Sequence, residues 1–460
     1  MTPRTLYAHQ SWAPKPTANA RNGASDPMSR TNSFTAVKRK RGNVFLRLLG
    51  PGLVTGAADD DPSGIATYSQ AGAQFGFGLL WTVFLTTPFM IAIQLVSAHI
   101  GRVTGKGIAA NAKQFYPLPI VLVPICLLIV ANTINIAADL AAMGEALYLV
   151  IGGLKHEHAL IFAALSVLLQ VFVPYRRYAP ILKFLTLVLF LYVAVAFTVE
   201  IPWRSVLAET AFPAVSLNYD YLLLVVAVLG TTISPYLFFW QASQEVEEMQ
   251  RDRRRPRLPL KILTRGGGQE MTRISIDTTV GMVFSNVIAF FIILATASTL
   301  HVHGFAQIET AAQAAEALRP IAGDLAFLMF ALGIVGTGLL AIPVLAGSGA
   351  YAVAELFGWT STLEAKFPEA IGFYTIISAA TIIGFAMGFL PINPIQLLVW
   401  TAVINGVVAV PIMAMMMLIV TNRKAMGRFR ARPSLAWAGW TATVLMGLTV
   451  LGLLWSIVRH

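Results

Sequence analysis

The chain has 460 residues, of which 56% are hydrophobic and only 12% charged. A soluble domain carries about 25% charged residues, so the polar surface here is too small for a water-soluble globule; an ordinary cytosolic enzyme is excluded and an all-α, multi-pass membrane protein is expected. A single cysteine, Cys126, excludes a disulfide framework, a zinc knuckle or an iron–sulfur site, and the meaning of the net charge of +11 depends on where the charge lies.

Residues 1–44 are polar, rich in proline, serine and asparagine, and end in Lys38-Arg39-Lys40-Arg41. They lack the apolar core of a secretory signal and read as a disordered cytoplasmic tail with a basic anchor at the membrane surface. Eleven apolar stretches of spanning length follow, near 46–74, 78–100, 117–149, 158–174, 180–200, 219–246, 276–300, 321–356, 370–389, 393–421 and 436–457. The first is unlike a plain lipid-facing helix. It holds Gly50-Pro51-Gly52 and then Thr55-Gly56-Ala57-Ala58-Asp59-Asp60-Asp61-Pro62-Ser63-Gly64-Ile65. Proline removes a backbone donor and clashes with the preceding turn. An ionised carboxylate at bilayer depth costs at least ~2.5–3.5 kcal/mol. Such a segment persists only where it lines a cavity or binds a cation, with Asp59 and Asp60 expected in a vestibule.

The third stretch carries Asp139. The loop after it holds His156-Glu157-His158, which lacks metalloprotease spacing and reads as solvated. In the sixth, Gly230-Thr231-Thr232-Ile233-Ser234-Pro235-Tyr236 again interrupts an apolar run. The basic segment 251–273 reads as a solvated loop with lipid contacts. Asn286 lies in the seventh stretch. The eighth, 321–356, is long for one span and is expected to hide a break or a loop helix, while its Ala346-Gly347-Ser348-Gly349 run suggests close helix packing. The tenth holds Asn405 and the Met413–Met417 cluster, the latter read as core filler.

With the N-terminus inside, the inside segments hold 29 of the 33 lysines and arginines and the outside segments four, Lys155, Arg204, Arg319 and Arg459. The basic residues are therefore topology signals rather than a nucleic-acid patch. Pro62 and Pro235 stand 173 residues apart, as do the starts of their spans, and five spans separate them. An odd number of spans per half inverts the second half. This is the pattern of a 5+5 inverted repeat, spans 1–5 in 45–200 and spans 6–10 in 219–422, with an eleventh in 436–460 and a binding site where two broken helices meet. Unwound carbonyls and a carboxylate suit a cation.

At these residues the chain resembles the NRAMP divalent metal transporters. The resemblance rests on Gly50-Pro51-Gly52 leading into Asp61-Pro62-Ser63-Gly64, where that family has Asp-Pro-Gly-Asn, and on Ile233-Ser234-Pro235-Tyr236, where it has Met-Pro-His. It implies a LeuT-like fold with discontinuous helices 1 and 6. It also implies a secondary transporter of divalent cations, with no resident cofactor because the metal is the cargo. The resemblance makes Asp61 the metal-binding aspartate and gives backbone oxygens at Ala58 and Thr231. Gly64 stands where the asparagine ligand would be, Ser234 replaces the methionine, and Tyr236 replaces the histidine. Asp139 keeps the third-span aspartate, while the glutamate three residues on has become Ala142. Asn405 is expected to reach the site through water. An oxygen-only site without a thioether suits Mg²⁺ and Mn²⁺, which is similar to the NRAMP-related magnesium transporters. The replaced histidine and glutamate put proton coupling through Asp139 and Tyr236 in question. The alternatives are a LeuT-fold symporter of an organic solute, disfavoured by three aspartates at the first break, and an intramembrane enzyme, for which no nucleophile–base pair is present. The expected partners are the cation and the bilayer, with no nucleic acid.

Overall fold

The computed structural model describes residues 51–459 except 176, 179–180, 182–183, 185, 251–256 and 263–266. The tail 1–44 and the arginine triplet of the basic loop lie outside the described residues. Every regular element among the described residues is helical. The principal ones are α1 (Pro51–Asp59), α2 (Pro62–Phe75), α3 (Leu80–Thr104), α4 (Ile108–Phe115), α5 (Leu118–Ile151), α6 (Lys155–Phe172), α7 (Phe190–Val195) and α8 (Trp203–Ala211). After these come α9 (Tyr219–Thr232), α10 (Pro235–Gln250), α11 (Gly267–Thr296), α12 (Ala311–Glu316), α13 (Ala326–Phe357), α14 (Ile371–Met387), α15 (Pro394–Thr421) and α16 (Pro433–Arg459).

Seven helical runs among the described residues are long and apolar enough to cross a membrane, and α14 is a shorter apolar helix. Large apolar side chains such as Phe84, Val123, Ile382 and Val444 are exposed on the outside of the bundle, where lipid rather than water would solvate them.

Two of the expected spans are broken where the sequence placed the proline. In the first, α1 ends at Asp59 and α2 begins at Pro62. Asp61 caps α2 in extended backbone, accepting from the Gly64 amide at 2.7 Å, and Pro62 occupies the first helical position, where its missing N–H costs nothing. In the second, α9 ends at Thr232 and α10 begins at Pro235. The Ser234 hydroxyl turns back to the carbonyls of Gly230 (2.9 Å) and Thr231 (2.7 Å). At membrane depth a break survives only if the freed backbone groups find partners, and each break carries a polar residue directly before its proline that supplies one.

Of the break or loop helix expected within 321–356, the loop helix is present, as short helical turns over 319–325 ahead of the long span. α13 itself runs unbroken through Pro343. Pro343 has no capping side chain beside it, and a lone proline in a packed helix bends rather than ends it. The small-residue run around it does pack: Asn132 of α5 donates to the Leu345 carbonyl and the Ser348 hydroxyl, both at 2.8 Å. The methionines at 413, 415, 416 and 417 are core residues, as expected.

Two expectations are corrected. His156, Glu157 and His158 lie in the first turn of α6 rather than in a loop; His156 and Glu157 are exposed as expected, with His156 stacked on Phe389 at a ring-centroid distance of 4.9 Å, whereas His158 is buried. Glu157 there suits the positive end of the helix dipole. The basic residues flanking 251–273 are not simply solvated. Arg102 is buried and pairs with Glu270 at 3.4 Å, Arg257 approaches Glu270 at 3.5 Å, and Arg273 approaches Glu248 at 3.3 Å and Glu245 at 3.7 Å. Charges that report topology also tie α3, α10 and α11 together.

α9 and α15 approach backbone to backbone. A Cβ at Gly230 would stand 2.5 Å from the Gly406 nitrogen and 2.8 Å from its Cα, and closer still to the Ala402 carbonyl. Small residues allow this approach in lipid. Gly230→Val is expected to destabilise the protein by at least the roughly 1–3 kcal/mol of an overpacked core, read as a lowered thermal midpoint in detergent.

Candidate metal centre

The two breaks meet. A Cβ placed on Gly64, at the start of α2, would stand 3.1 Å from the Thr231 hydroxyl of α9. Tyr236, in the first turn of α10, places its hydroxyl 3.2 Å from the Ala58 carbonyl of α1 and 3.2 Å from Asp61 Oδ2. Asp61, Ala58, Gly64, Thr231 and Tyr236 are thus one constellation, and all are buried.

Asp61 is its centre. Oδ1 accepts from the Ser63 hydroxyl and the Gly64 amide, each at 2.7 Å. Oδ2 accepts from the Asn135 amide of α5 at 3.2 Å and faces the Tyr236 hydroxyl. Every one of these partners is neutral. A carboxylate that is 1% exposed, deep in a membrane bundle, with only neutral donors around it, is uncompensated charge, and such charge persists where a cation neutralises it.

Ser234 is buried one residue before Pro235, with its proton committed to its own helix. A hydroxyl oxygen whose proton points away still offers lone pairs. Asp139 lies on α5 one turn beyond Asn135, the same face of the helix. It is fully buried, and neither of its oxygens has a hydrogen-bond partner. Asn405 on α15 is 1% exposed with both amide atoms unpartnered, and the Asn135 oxygen is likewise unpartnered. A buried polar group without a partner costs roughly 1–3 kcal/mol. The unpartnered atoms of Asn135 and Asp139 lie beside the Asp61 carboxylate and mark a place where water or a hydrated ion supplies the missing bonds.

Sequence reasoning missed three participants. Ser63 belongs to the capping turn; a hydroxyl two residues after a capping aspartate was the available signal. Asn135 opens the Asp139 stretch one helical turn earlier, a spacing that puts both on one face. Ser285 of α11 approaches Asp59 Oδ2 at 2.6 Å and Asp60 Oδ1 at 2.9 Å, and no local pattern marked it. Asp59 and Asp60 are accordingly not open to a vestibule: both are buried against α11.

Among the described residues no group of three or more histidine, cysteine, aspartate or glutamate side chains has metal-binding geometry. A cation here would be held by one carboxylate with carbonyls, hydroxyls and water.

A family model described as natural resistance-associated macrophage protein-like matches residues 52–456. The chain is 29% identical over 320 residues to the divalent metal cation transporter MntH of Pectobacterium carotovorum, covering 68% of this chain and 73% of that one. It is 27% identical over 399 residues to the MntH of Aeromonas hydrophila, covering 84% and 90%. A crystal structure of the Eremococcus coleocola manganese transporter superposes with a TM-score of 0.68 at 14% identity, covering 92% of this chain and 90% of that one. Mhp1, a nucleobase-cation-symport-1 family transporter, superposes at 0.53 and 14% identity, covering 90% and 93%. The fold is that of the LeuT-like transporters, an all-helical, multi-pass integral membrane architecture, and with a family model spanning residues 52–456 the chain belongs to the Nramp family of transporters.

Proposed function

We propose that the protein is a secondary transporter of divalent metal cations that works by alternating access, with Asp61 as the anchor of the transported ion. The observation that carries the reading is the Asp61 carboxylate, buried between two helix breaks with neutral partners alone. The family match and the names of its relatives, divalent metal cation transporters and a manganese transporter, point the same way.

The donor set argues for a hard cation of the Mg²⁺ and Mn²⁺ class. The Asp61 carboxylate, the carbonyls of Ala58 and Thr231 and the Ser234 hydroxyl are all oxygen, and a serine rather than a thioether stands directly before Pro235. Gly64 contributes no side-chain ligand and leaves room. Asn405, with two unpartnered amide atoms, fits contact through a bound water, and Mg²⁺ usually retains several of its waters. Asp139 and Tyr236 lie beside Asp61 without a histidine or a second-turn glutamate to relay protons, so transport is proposed to run without proton coupling. The lysine and arginine bias supports an N-terminus in the cytoplasm.

Purified protein in proteoliposomes is expected to take up both Mn²⁺ and Mg²⁺ down their gradients, without acidifying the lumen and without a requirement for sodium. Sodium-dependent uptake of an organic solute with no metal flux would overturn the reading. A lumenal pH change that tracks metal flux would overturn the uncoupled mechanism alone.

A further inference from the structure

The site residues are buried, and α1, which leads into them, lies in close backbone contact with α11. The amides of Gly52 and Leu53 donate to the two oxygens of Asp277 on α11, at 2.7 and 3.3 Å. Along the same face α1 presents glycines at 52 and 56. A Cβ at Gly52 would stand 2.7 Å from the Thr278 backbone, and one at Gly56 would fall 2.8 Å from Gly281 Cα and closer to its carbonyl. On the other side the Thr55 hydroxyl bonds to Gln241 of α10, whose amide reaches Glu245 at 3.4 Å. Beyond that contact lie the ion pairs of Glu245, Glu248 and Glu270 with Arg102, Arg257 and Arg273. At its far end α1 carries Ala58 and leads directly into Asp61.

We propose that Asp277 is the positioning residue that latches α1 onto α11 and so keeps the centre closed toward the N-terminal face. Asp277 does not touch Asp61; it acts through α1. A carboxylate suits the task because its two oxygens accept two successive amides at once, with charge-assisted strength. The interface beneath is glycine against backbone, so the Asp277 bonds at the start of α1 and the Ser285 contacts with Asp59 and Asp60 at its end are polar ties between the two helices. Opening α1 withdraws the Ala58 carbonyl and loosens the turn that Asp61 caps, which couples the latch to the hold on the ion.

The test reads accessibility and needs no metal, so its failure is separate from failure of the metal reading. In a Cys126→Ser background, Thr278→Cys puts a reporter thiol beneath Gly52, at a position that is fully buried while α1 is docked. Proteoliposomes of known orientation are treated with a membrane-impermeant maleimide from one face at a time. Asp277→Ala is expected to raise the labelling rate at least tenfold from the N-terminal face and leave the other face unchanged. Asp277→Asn, which keeps one acceptor, is expected to fall between. Thr55→Val removes the separate anchor on Gln241 and is expected to act in the same direction, so it decides the matter should Asp277→Ala not fold. A labelling rate unchanged by all three variants, or raised equally from both faces, would overturn the proposal.

Discussion

Asp61→Ala is expected to abolish metal uptake and to weaken divalent-cation binding by about 30-fold or more. Removing one partner of a buried charge-assisted contact costs roughly 2–5 kcal/mol, and each 1.4 kcal/mol is tenfold in Kd. Alanine alone does not isolate the charge, because Asp61 also caps α2 through the Gly64 amide, and losing an N-cap costs about 1 kcal/mol of helix stability. Asp61→Asn separates the two roles. Its side-chain oxygen can keep the Ser63 and Gly64 bonds, and asparagine is as good a cap as aspartate. The new amide nitrogen then faces Asn135 Nδ2, donor against donor. A flip of the Asn135 amide relieves this, because its oxygen has no partner to lose. The Tyr236 hydroxyl can give its proton to the Ala58 carbonyl and accept from the new amide. The Asn variant is therefore expected to fold with a near-normal thermal midpoint and to bind no Mg²⁺ or Mn²⁺ by calorimetry. If Asp61→Asn binds and transports as the parent does, the charge is not the anchor.

The parts of this centre that were legible in the sequence are those in which a residue contradicts its surroundings. Proline, glycine, aspartate and hydroxyl residues clustered inside apolar runs have no place in a lipid-facing helix, so both breaks could be located from the clusters around Pro62 and Pro235, and the structure puts them there. A lone proline is a weaker sign: Pro88, Pro124, Pro343 and Pro411 all lie inside unbroken helices. What stayed hidden were partners whose role comes only from tertiary approach. Ser285 is an ordinary residue in an ordinary span until α11 lies against the end of α1. Asp277 sits near the start of the seventh span, where an acidic residue reads as a boundary marker. Arg102 counted as one more inside charge, yet its guanidinium is buried against Glu270. Periodicity places a residue on a face, but which helix covers that face is decided by the packing of the whole bundle.

The second large effect concerns which metal is preferred. Ser234→Met is expected to shift preference toward soft cations, raising binding of Cd²⁺ relative to Mg²⁺ at least tenfold. Ser234 stands immediately before Pro235, at the break between α9 and α10, and its hydroxyl stabilises the break through the Gly230 and Thr231 carbonyls. Methionine gives up that one hydroxyl donor shared between the two carbonyls, at a net cost of about 0.5–1.5 kcal/mol, and supplies a polarisable thioether. Sulfur contributes little to a hard ion that holds its water and much to a soft one. The swap also frees the Thr231 carbonyl from its hydroxyl donor, making that oxygen a better ligand for either ion. A gain for Cd²⁺ that exceeds any gain for Mg²⁺ is thus the part due to sulfur. Ser234→Ala is the control, since it frees the same carbonyl without adding a thioether and is expected to leave the ratio near that of the parent. Adding Gly64→Asn to restore a side-chain amide is a harder change. Its Cβ would stand 3.1 Å from the Thr231 hydroxyl and 3.4 Å from the Tyr68 ring, so a neighbour must yield by a few tenths of an ångström. The single variant is the cleaner measurement, made by competition of Cd²⁺ against Mg²⁺ on purified protein. An unchanged ratio in Ser234→Met would mean that this side chain does not face the ion, and that the oxygen-only character of the centre has another source.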